Sequence, residues 1–315
     1  MQLNYTVTEK DNGRRAVDVL CSRTGMSRVT GKKIRLYGSL MKNGQHWRMI
    51  DPVETGDILV AEYWPEGNKP VPLKKDPLLP VVYQDEWLII VNKPTGMVTH
   101  PTYLHDRGSV TDRLADHPLH PVIRLDRDTT GLLLVAMNGH AHHVISSAGM
   151  DKSYIALVHG KLPTRDGMID LPIGRDPDSI MLRRVDKNGL PAKTSWHVCR
   201  YFSASNISLV KFKLITGRTH QIRLHSKSIG HPLLGDWLYG LEKSEVNYHK
   251  DDNPFEDNVV FEADKLLSRQ ALHAATLSFT HPKTLKRNTV TASLPEDFRQ
   301  ALRTIYDYEK TRNAL

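Results

Sequence analysis

The sequence predicts an α+β protein of two domains, the larger built on a large mixed or antiparallel sheet flanked by helices. The length of 315 residues suggests about two domains. Residues 64–80 are rich in proline and lysine, the composition of a stiff, extended linker. Beyond them, strand-like and helical patterns do not alternate regularly, which disfavours a doubly wound parallel sheet. We therefore expect a small α+β domain over residues 1–72, a linker over 73–80 and the larger domain over 81–315.

The small domain is predicted to combine helices with a curved sheet. Residues 16–20 have a short helical pattern, and the segment from 27 to 33 is basic. Asn43-Gly44 is a strong signal for a hairpin turn, because both residue types tolerate the positive φ angles of a tight turn. The apolar run 58–60 then indicates a strand.

The larger domain is rich in strand signals. The β-like runs are 81–83, 87–91, 132–135, 154–158, 207–215 and 277–279. Helical patterns lie around 140–147, 220–228 and 295–310. Residues 241–265 are acidic with little hydrophobic pattern, so they predict an exposed loop; a solvated insertion without function is the simplest interpretation of it.

Charge and cysteine content narrow the class of protein. The net charge of +8 favours a polyanionic partner such as nucleic acid, although a basic surface kept for solubility is the alternative. Cys21 and Cys199 form no motif, so no disulfide framework or cysteine zinc site is expected, and free thiols suit a reducing cytosol. No apolar signal core or membrane-spanning run of about 20 residues is present in the sequence. We expect a soluble, cytoplasmic protein.

Residues 122–131 form a charged loop that opens onto an apolar strand. Asp126 is flanked by Arg124 and Arg127, and guanidinium groups near a carboxylate favour its ionised form. An ionised carboxylate can act as a nucleophile or as a base. Taken alone, the same pattern also describes a surface cluster of salt bridges.

This segment resembles the signature of the RluA-type pseudouridine synthases, which is His-Arg-Leu-Asp, two variable residues, then Thr-Ser-Gly. The catalytic Asp of that pattern falls on Asp126. Ile123 stands at the His position and Thr130 at the Ser position. The first departure puts in doubt any positioning role that the His has in the family.

Further segments resemble the same family in the expected order: residues 85–101, 152–160, 216–240 and 269–282. The likeness extends over about residues 80–295. It implies a pseudouridine synthase fold, an RNA substrate and a reaction that needs no cofactor or metal. His140, His142 and His143 are interpreted as a polar helix face rather than as metal ligands, because no cysteine or suitably spaced carboxylate is near.

The resemblance also implies roles for single residues. Arg223 matches the arginine that pairs with the catalytic Asp; a surface or phosphate contact is the alternative. Tyr154 matches an active-site tyrosine that stacks on an extruded base and takes part in proton transfer; a core tyrosine is the alternative. The predicted RNA contacts of the larger domain are Lys93, Arg124, Arg218, Thr219, His220 and Gln221.

The small domain resembles the S-four-like RNA-binding domain, named for a ribosomal protein. Its basic stretch contains Arg28, Lys32, Lys33 and Arg35, which we expect to contact phosphates and so to position the RNA without reading its sequence. A basic cap with only a structural role is the alternative.

The sequence therefore predicts an isomerase that converts uridines in structured RNA to pseudouridine. Asp126 could attack C1′ or remove the 2′-proton, and the sequence does not choose between them. Large-subunit ribosomal RNA is favoured over transfer RNA, and a monomer is expected. One alternative is a catalytically degenerate RNA-binding relative, and the support for it is Ile123 at the His position of the signature. Another is a glycoside hydrolase, which usually needs a second carboxylate, and Asp128 is the only near one.

Overall fold

The computed structural model describes residues 1–63, 73–101, 107–115, 119–179, 181–240 and 267–313. The strands are β1 (Gln2–Thr6), β2 (Gly38–Lys42), β3 (Gln45–His46), β4 (Ile58–Tyr63), β5 (Val81–Gln84), β6 (Leu88–Lys93), β7 (His120–Pro121), β8 (Thr130–Ala136), β9 (Asp151–His159), β10 (Asp166–Asp170), β11 (Ile173–Arg175), β12 (Arg183–Val185), β13 (Lys193–Phe202), β14 (Ile207–Leu214), β15 (Leu272–Thr280) and β16 (Arg287–Thr291). The helices are α1 (Ala16–Thr24), α2 (Arg28–Tyr37), α3 (Val110–Leu114), α4 (Gly139–Ala148), α5 (Gln221–Ser228) and α6 (Glu296–Asn313).

The N-terminal unit is an antiparallel sheet in the order β1-β4-β2-β3, with α1 and α2 packed on it. Ser27 caps α2, because its hydroxyl accepts the amide hydrogen of Thr30. The predicted hairpin turn is confirmed: Asn43 and Gly44 both have positive φ and join β2 to β3.

The larger sheet has the order β10-β13-β14-β9-β15-β8-β6-β5, with β16 beside β15 and β7 beside β8. Most neighbours are antiparallel, but β15 and β8 run parallel. The predicted mixed sheet and α+β class are thus confirmed. Alternation along β14 buries Val210 and Phe212 in the main core and exposes Lys211, as expected for a strand with one covered face.

The last helix, α6, covers part of the sheet with one apolar stripe. Phe298, Ala301 and Ile305 lie at helical spacing and are fully buried. They pack against Phe202 and Ile207 of β13 and β14. A helix over 295–310 was predicted, and the structure places it at Glu296–Asn313.

The N-terminal unit shares a core with the edge of the larger sheet. Trp87, Ala136 and Ala141 belong to the same buried cluster as the apolar residues of β1, α1 and β4. The predicted linker over residues 73–80 contacts the larger domain as well, since Leu79 is buried in the main core. Residues 64–72 and the predicted acidic loop at 241–265 lie outside the described residues, and the domain boundaries stay a prediction.

Across the described ranges, no helix has both the length and the apolar character that crossing a bilayer requires.

Candidate active site

A cavity of about 650 Å³ opens beside the larger sheet. Its walls come from the loop between β7 and β8, from β9, from the β11–β12 ribbon and from the first turn of α5. Asp126 is the one carboxylate-bearing residue among the described residues that line it. Three of the elements therefore bring together residues that lie far apart in the sequence: Asp126, Tyr154 and Arg223.

Asp126 faces two nitrogen-bearing side chains without being locked to either. Its Oδ2 lies 3.7 Å from Nη1 of Arg223, and its Oδ1 lies 4.0 Å from Nε2 of His220. The Asp126 side chain is 26% exposed to solvent, whereas that of Arg223 is 5% exposed. The long distances leave the oxygens of Asp126 accessible to a ligand in the cavity.

Arg223 forms a bidentate ion pair with a different carboxylate, that of Asp236. Nε and Nη2 donate to Oδ2 and Oδ1 of Asp236, each at 2.7 Å, and both side chains are buried. Arg223 also lies within ion-pair distance of Asp126, its predicted partner, through Nη1. Burial alone would lower the pKa of Arg223, but the Asp236 hydrogen bonds and the charges of Asp236 and Asp126 raise it, so the guanidinium stays charged.

Tyr239 contacts both members of the Arg223–Asp236 pair. Its ring lies 5.1 Å from the guanidinium carbon of Arg223, and its backbone amide donates to Asp236. Its hydroxyl lies 3.0 Å from Nδ1 of His220. Asp236, Arg223, Tyr239 and His220 thus form one connected group that ends at Asp126.

His220 precedes α5 with a backbone φ of +57°. This left-handed conformation costs a non-glycine residue on the order of 1 kcal/mol, and it turns the imidazole toward Asp126. Burial lowers the pKa of His220, with the charge of Asp126 acting in the opposite direction. The ring is therefore held neutral at pH 7 and can exchange a hydrogen bond with the Tyr239 hydroxyl.

Tyr154 lies on β9 and is buried, with its side chain on the cavity wall. Burial raises the pKa of its phenol, and the negative charge of Asp126 raises it further. The hydroxyl therefore keeps its proton at neutral pH, so it is suited to donate a hydrogen bond rather than to act as a tyrosinate base.

The loop that carries Asp126 is fixed on both sides. The buried Lys93 ammonium donates to the carbonyls of Pro94, Met97 and Arg127, each at 2.8 Å. Burial lowers the pKa of Lys93 to about 7, against the opposing charges of Asp128 and Asp126. These contacts hold the backbone next to Asp126 in one position.

Three further side chains hold the same loop. The Thr99 hydroxyl bonds both the amide and the carbonyl of Leu125, at 3.1 Å each. From the segment that precedes β15, the Gln270 amide donates to the Thr129 hydroxyl at 3.0 Å, and Arg269 donates to the Asp128 carbonyl at 3.4 Å. The carboxylate is thus preorganised by contacts that do not involve its own oxygens.

The two departures from the family signature are accommodated in different ways. Ile123 is 8% exposed and belongs to the main core, so it closes the base of the loop with apolar packing. Thr130 keeps a hydroxyl, which lies 2.9 Å from Nδ1 of His273. Gly131 has φ +112°, and a Cβ there would lie 2.4 Å from the carbonyl oxygen of Ala274.

Comparison with known proteins identifies the family. A family model described as RNA pseudouridylate synthase matches residues 87–228. An uncharacterized RNA pseudouridine synthase of Bacillus subtilis is 35% identical over 279 residues, covering 84% of this chain and 90% of that protein. This chain belongs to the RNA pseudouridine synthases of the RluA type. The ribosomal large subunit pseudouridine synthase D of Pseudomonas aeruginosa is 35% identical to it over 273 residues, covering 83% and 82% of the two chains.

Two solved structures share the fold of this synthase. Human RNA pseudouridylate synthase domain containing 4 matches with a TM-score of 0.55 and 24% identity, covering 72% of this chain and 93% of that one. Human RNA pseudouridylate synthase domain containing 1 matches with a TM-score of 0.52 and 24% identity, covering 72% and 94%. The predicted pseudouridine synthase fold is confirmed.

Five of the predicted RNA contacts of the synthase line the cavity: Arg124, Arg218, Thr219, His220 and Gln221. Of these, Arg124 and Arg218 are exposed. In the N-terminal unit, Arg28, Lys32 and Lys33 are exposed on α2, and Arg28 pairs with Asp18 at 2.7 Å. Their contact with RNA stays a prediction.

Two predicted RNA contacts of the synthase have their side-chain polar groups occupied by partners within the protein. Lys93 is fully buried, and its three donors are all taken by backbone carbonyls. Gln221 is 3% exposed, and its amide donates to the Lys193 carbonyl and the Thr194 hydroxyl. Its oxygen accepts from the Thr216 hydroxyl and the Arg218 amide, so no donor or acceptor remains for RNA.

Of the three histidines of α4, His143 is exposed and His142 half-buried, whereas His140 departs from the predicted polar helix face. His140 is buried against the Trp87 ring, with a centroid distance of 5.8 Å, instead of lying on a polar helix face. Burial lowers its pKa to about 4. Within the described ranges, no three His, Cys, Asp or Glu side chains come together as metal ligands would.

The sequence reasoning missed four contributors to the site. Asp236 and Tyr239 stood in a recognised motif, but nothing in their spacing assigned them to Arg223. Arg175 and Arg183, on β11 and β12, also line the cavity. Their position follows from the register of a short ribbon, which the sequence pattern did not reveal.

Proposed function

We propose that this synthase converts specific uridines of large-subunit ribosomal RNA to pseudouridine and that Asp126 is its catalytic carboxylate. The observation that carries the proposal is the place of Asp126: it is the lone acid among the described cavity-lining residues, and it faces Arg223 and His220. A cavity of about 650 Å³ is of the size that holds a small ligand, here a nucleotide turned out of its stack.

The reaction breaks the bond between N1 and C1′, turns the uracil, and joins C5 to C1′. C5 then loses its hydrogen, and N1 ends with one. Asp126 either attacks C1′ to give a covalent sugar ester or removes the 2′-proton on the way to a glycal, and both routes remain open. In either route the enzyme must keep the detached base in the cavity until it has turned.

Each neighbour of Asp126 has a separate task in this proposal. Arg223 orients the carboxylate through Nη1, which lies 3.7 Å from Oδ2. Tyr154 stacks on the base and donates a hydrogen bond, since its raised pKa keeps the phenol protonated. The buried Ile123 lines the floor that excludes water from the displaced base.

The choice of substrate is supported by the names of relatives. Ribosomal large subunit pseudouridine synthase D of Pseudomonas aeruginosa and that of Nitrosomonas europaea are 35% and 39% identical to this chain. The exposed cations of α2, namely Arg28, Lys32, Lys33 and Arg35, are proposed to contact phosphates of the same RNA. We propose that the enzyme works as a monomer in the cytoplasm. Transfer RNA is the alternative substrate.

The test begins with deletion of the gene in its host. Pseudouridines are mapped by carbodiimide-based primer extension on ribosomal and transfer RNA, before and after complementation. Wild type and Asp128→Asn should restore the missing sites, because Asp128 pairs with Arg127 and does not line the cavity. Asp126→Asn should restore none. Loss of sites in transfer RNA alone would refute the ribosomal substrate, and restoration by Asp126→Asn would refute the catalytic role.

A further inference from the structure

A short antiparallel ribbon brings two arginines face to face at the cavity. In the ribbon of β11 and β12, Arg175 and Arg183 are direct cross-strand partners. Side chains at such positions project from the same face of the ribbon, with Cβ atoms about 5 Å apart. Like charges placed opposite each other destabilise a ribbon unless an anion lies between them.

The ribbon is fixed to the same element that carries Arg223. The Tyr239 hydroxyl accepts the backbone amide hydrogen of Arg183 at 2.7 Å. Ile173 is buried in one cluster with Tyr239 and with Leu224 of α5. The two arginines are therefore held at a set position relative to Asp126, and both line its cavity.

Neither arginine has a carboxylate partner in the described part of the chain. The contrast is Arg184, the next residue along β12, which projects from the other face, lies outside the cavity lining and pairs with Asp186 at 3.4 Å. On the face of the ribbon toward the cavity, the guanidinium groups of Arg175 and Arg183 thus have no carboxylate partner among the described residues. On the opposite face, Arg184 is paired with Asp186.

The surroundings add positive charge rather than cancel it. Other cationic residues also line the cavity, namely Arg124, Lys152, Arg218 and Arg223, against the single acid Asp126. At Arg175 and Arg183, two guanidinium groups lie opposite each other on the cavity wall, and neither has a carboxylate partner among the described residues. A tetrahedral anion with several oxygens fits two such forks.

We propose that Arg175 and Arg183 together bind a phosphodiester of the RNA strand next to the target uridine. This inference rests on the proposed function, because a uridine that enters the cavity from within a strand brings a phosphate on each side. The pair would hold the backbone while the detached base turns, and it would act equally on the ground state and the transition state. Its loss should therefore raise KM and leave kcat unchanged.

The experiment compares Arg175→Gln, Arg183→Gln and the double variant with the control Arg184→Gln. The probe is unmodified large-subunit ribosomal RNA made by transcription, and the readouts are KM, kcat and the dependence of binding on salt. Each single variant should raise KM about tenfold, as expected for one charge-assisted contact. The double variant should also lower the slope of log K against log salt by about 0.7–0.9, the change expected for the loss of one phosphate contact. Replacement by lysine at both positions should restore most of that slope.

The inference is overturned if the double variant keeps the wild-type KM and salt slope. It also fails if Arg184→Gln has the same effect, because then only net charge matters, or if kcat falls while KM stays. Thermal unfolding of each variant shows that the ribbon is intact. If wild type forms no pseudouridine, the proposed function fails, whereas the salt slope of binding still decides whether this pair contacts RNA phosphate.

Discussion

At the scale of single residues, Asp236 decides which part of Arg223 reaches Asp126. A guanidinium presents two edges to its partners, and the buried Asp236 occupies one edge completely at 2.7 Å. What remains for Asp126 is one nitrogen at 3.7 Å. A free fork would instead close on the catalytic carboxylate and tie up both of its oxygens.

Replacement Asp236→Asn should therefore lower kcat by about tenfold to a hundredfold with little change in KM, since Arg223 would be misplaced by up to about an ångström. Steady-state kinetics on transcribed RNA measure this split. Asp11→Asn is the matched control, because Asp11 is a buried acid that binds Arg14 and Arg23 far from the cavity. Equal loss of kcat in the two variants would show that only stability had changed.

Lys93 makes activity and stability respond to pH in opposite directions. Its pKa is lowered by burial to about 7, so above that pH the ammonium loses a proton and one of its three donors to the loop of Asp126. We expect kcat to fall severalfold as pH rises from about 6 to 9. Because the folded pKa lies below its ordinary value of 10.5, this group makes the folded state more stable as pH rises through the same range.

The measurement is kcat and the denaturant midpoint on the same samples across that pH range. In Lys93→Met, kcat should be low throughout and should lack the alkaline decline. A wild-type decline in kcat that tracks a falling midpoint would mean that unfolding, and not Lys93, is its cause.

Sequence motifs located the proposed active-site residues better than the residues that hold them in place. Asp126, Tyr154 and Arg223 were placed by ordered motifs, and the structure brings them to one cavity. Lys93 was interpreted as an RNA contact, since nothing local in the sequence reveals that three carbonyls converge on its ammonium. Contacts between distant segments, such as Arg223 with Asp236, leave no periodic pattern to read.

At the scale of elements, the junction of β8 and β15 depends on a glycine. These strands are the parallel pair of the sheet, and Gly131 lies opposite Ala274 in their register. The backbones approach so closely that a Cβ at this position would lie 2.4 Å from the Ala274 carbonyl oxygen. The signature glycine therefore lets the catalytic loop enter the sheet directly after Asp126.

Gly131→Ala should lower the free energy of unfolding by roughly 2–4 kcal/mol, because it adds both a steric clash and a disfavoured φ. Denaturant unfolding measures the change. The control is Gly139→Ala in α4, where nothing lies within 4 Å of an added Cβ and alanine favours the helix. If Gly131→Ala unfolds like wild type, the close approach of β8 and β15 is not as described.

Many elements were predicted from periodicity and turn residues, but the strands β10, β13 and β16 were not. The hairpin at Asn43-Gly44 and the last helix show how well local signals perform. Strand order could not be predicted, because the pairing of β15 with both β8 and β9 joins segments separated by more than a hundred residues. The β11–β12 ribbon was missed for a related reason: it is too short for an alternating pattern.

At the scale of the whole molecule, the N-terminal unit is joined to the larger sheet through packing as well as through the chain. The end of α1 lies on α4, and a Cβ at Gly25 would meet Cγ2 of Val144 at 2.8 Å. Trp87 and Ala136 complete the shared core. We expect the two units to unfold together, and the basic helix α2 to keep a set position relative to the cavity.

Gly25→Ala should lower the denaturant midpoint and separate the unfolding of the two units, because the added methyl group pushes against Val144. Val144→Ala in the same chain should recover the part of the loss that comes from this contact. The double-mutant cycle measures the coupling, expected at about 0.5–2 kcal/mol. If the changes in unfolding free energy of Gly25→Ala and Val144→Ala are strictly additive, then the two units are not in contact at this point.

The central claim is that Asp126 breaks the glycosidic bond of a uridine in RNA. The most direct measurement is release of tritium from RNA that carries 5-tritiated uridine, since C5 loses its hydrogen only when it has bonded to C1′. Wild type and Asp128→Asn should release tritium at similar rates, and Asp126→Asn should be slower by about a thousandfold or more while binding the RNA equally well. Release by Asp126→Asn at a rate near that of wild type would contradict the assignment of the catalytic carboxylate.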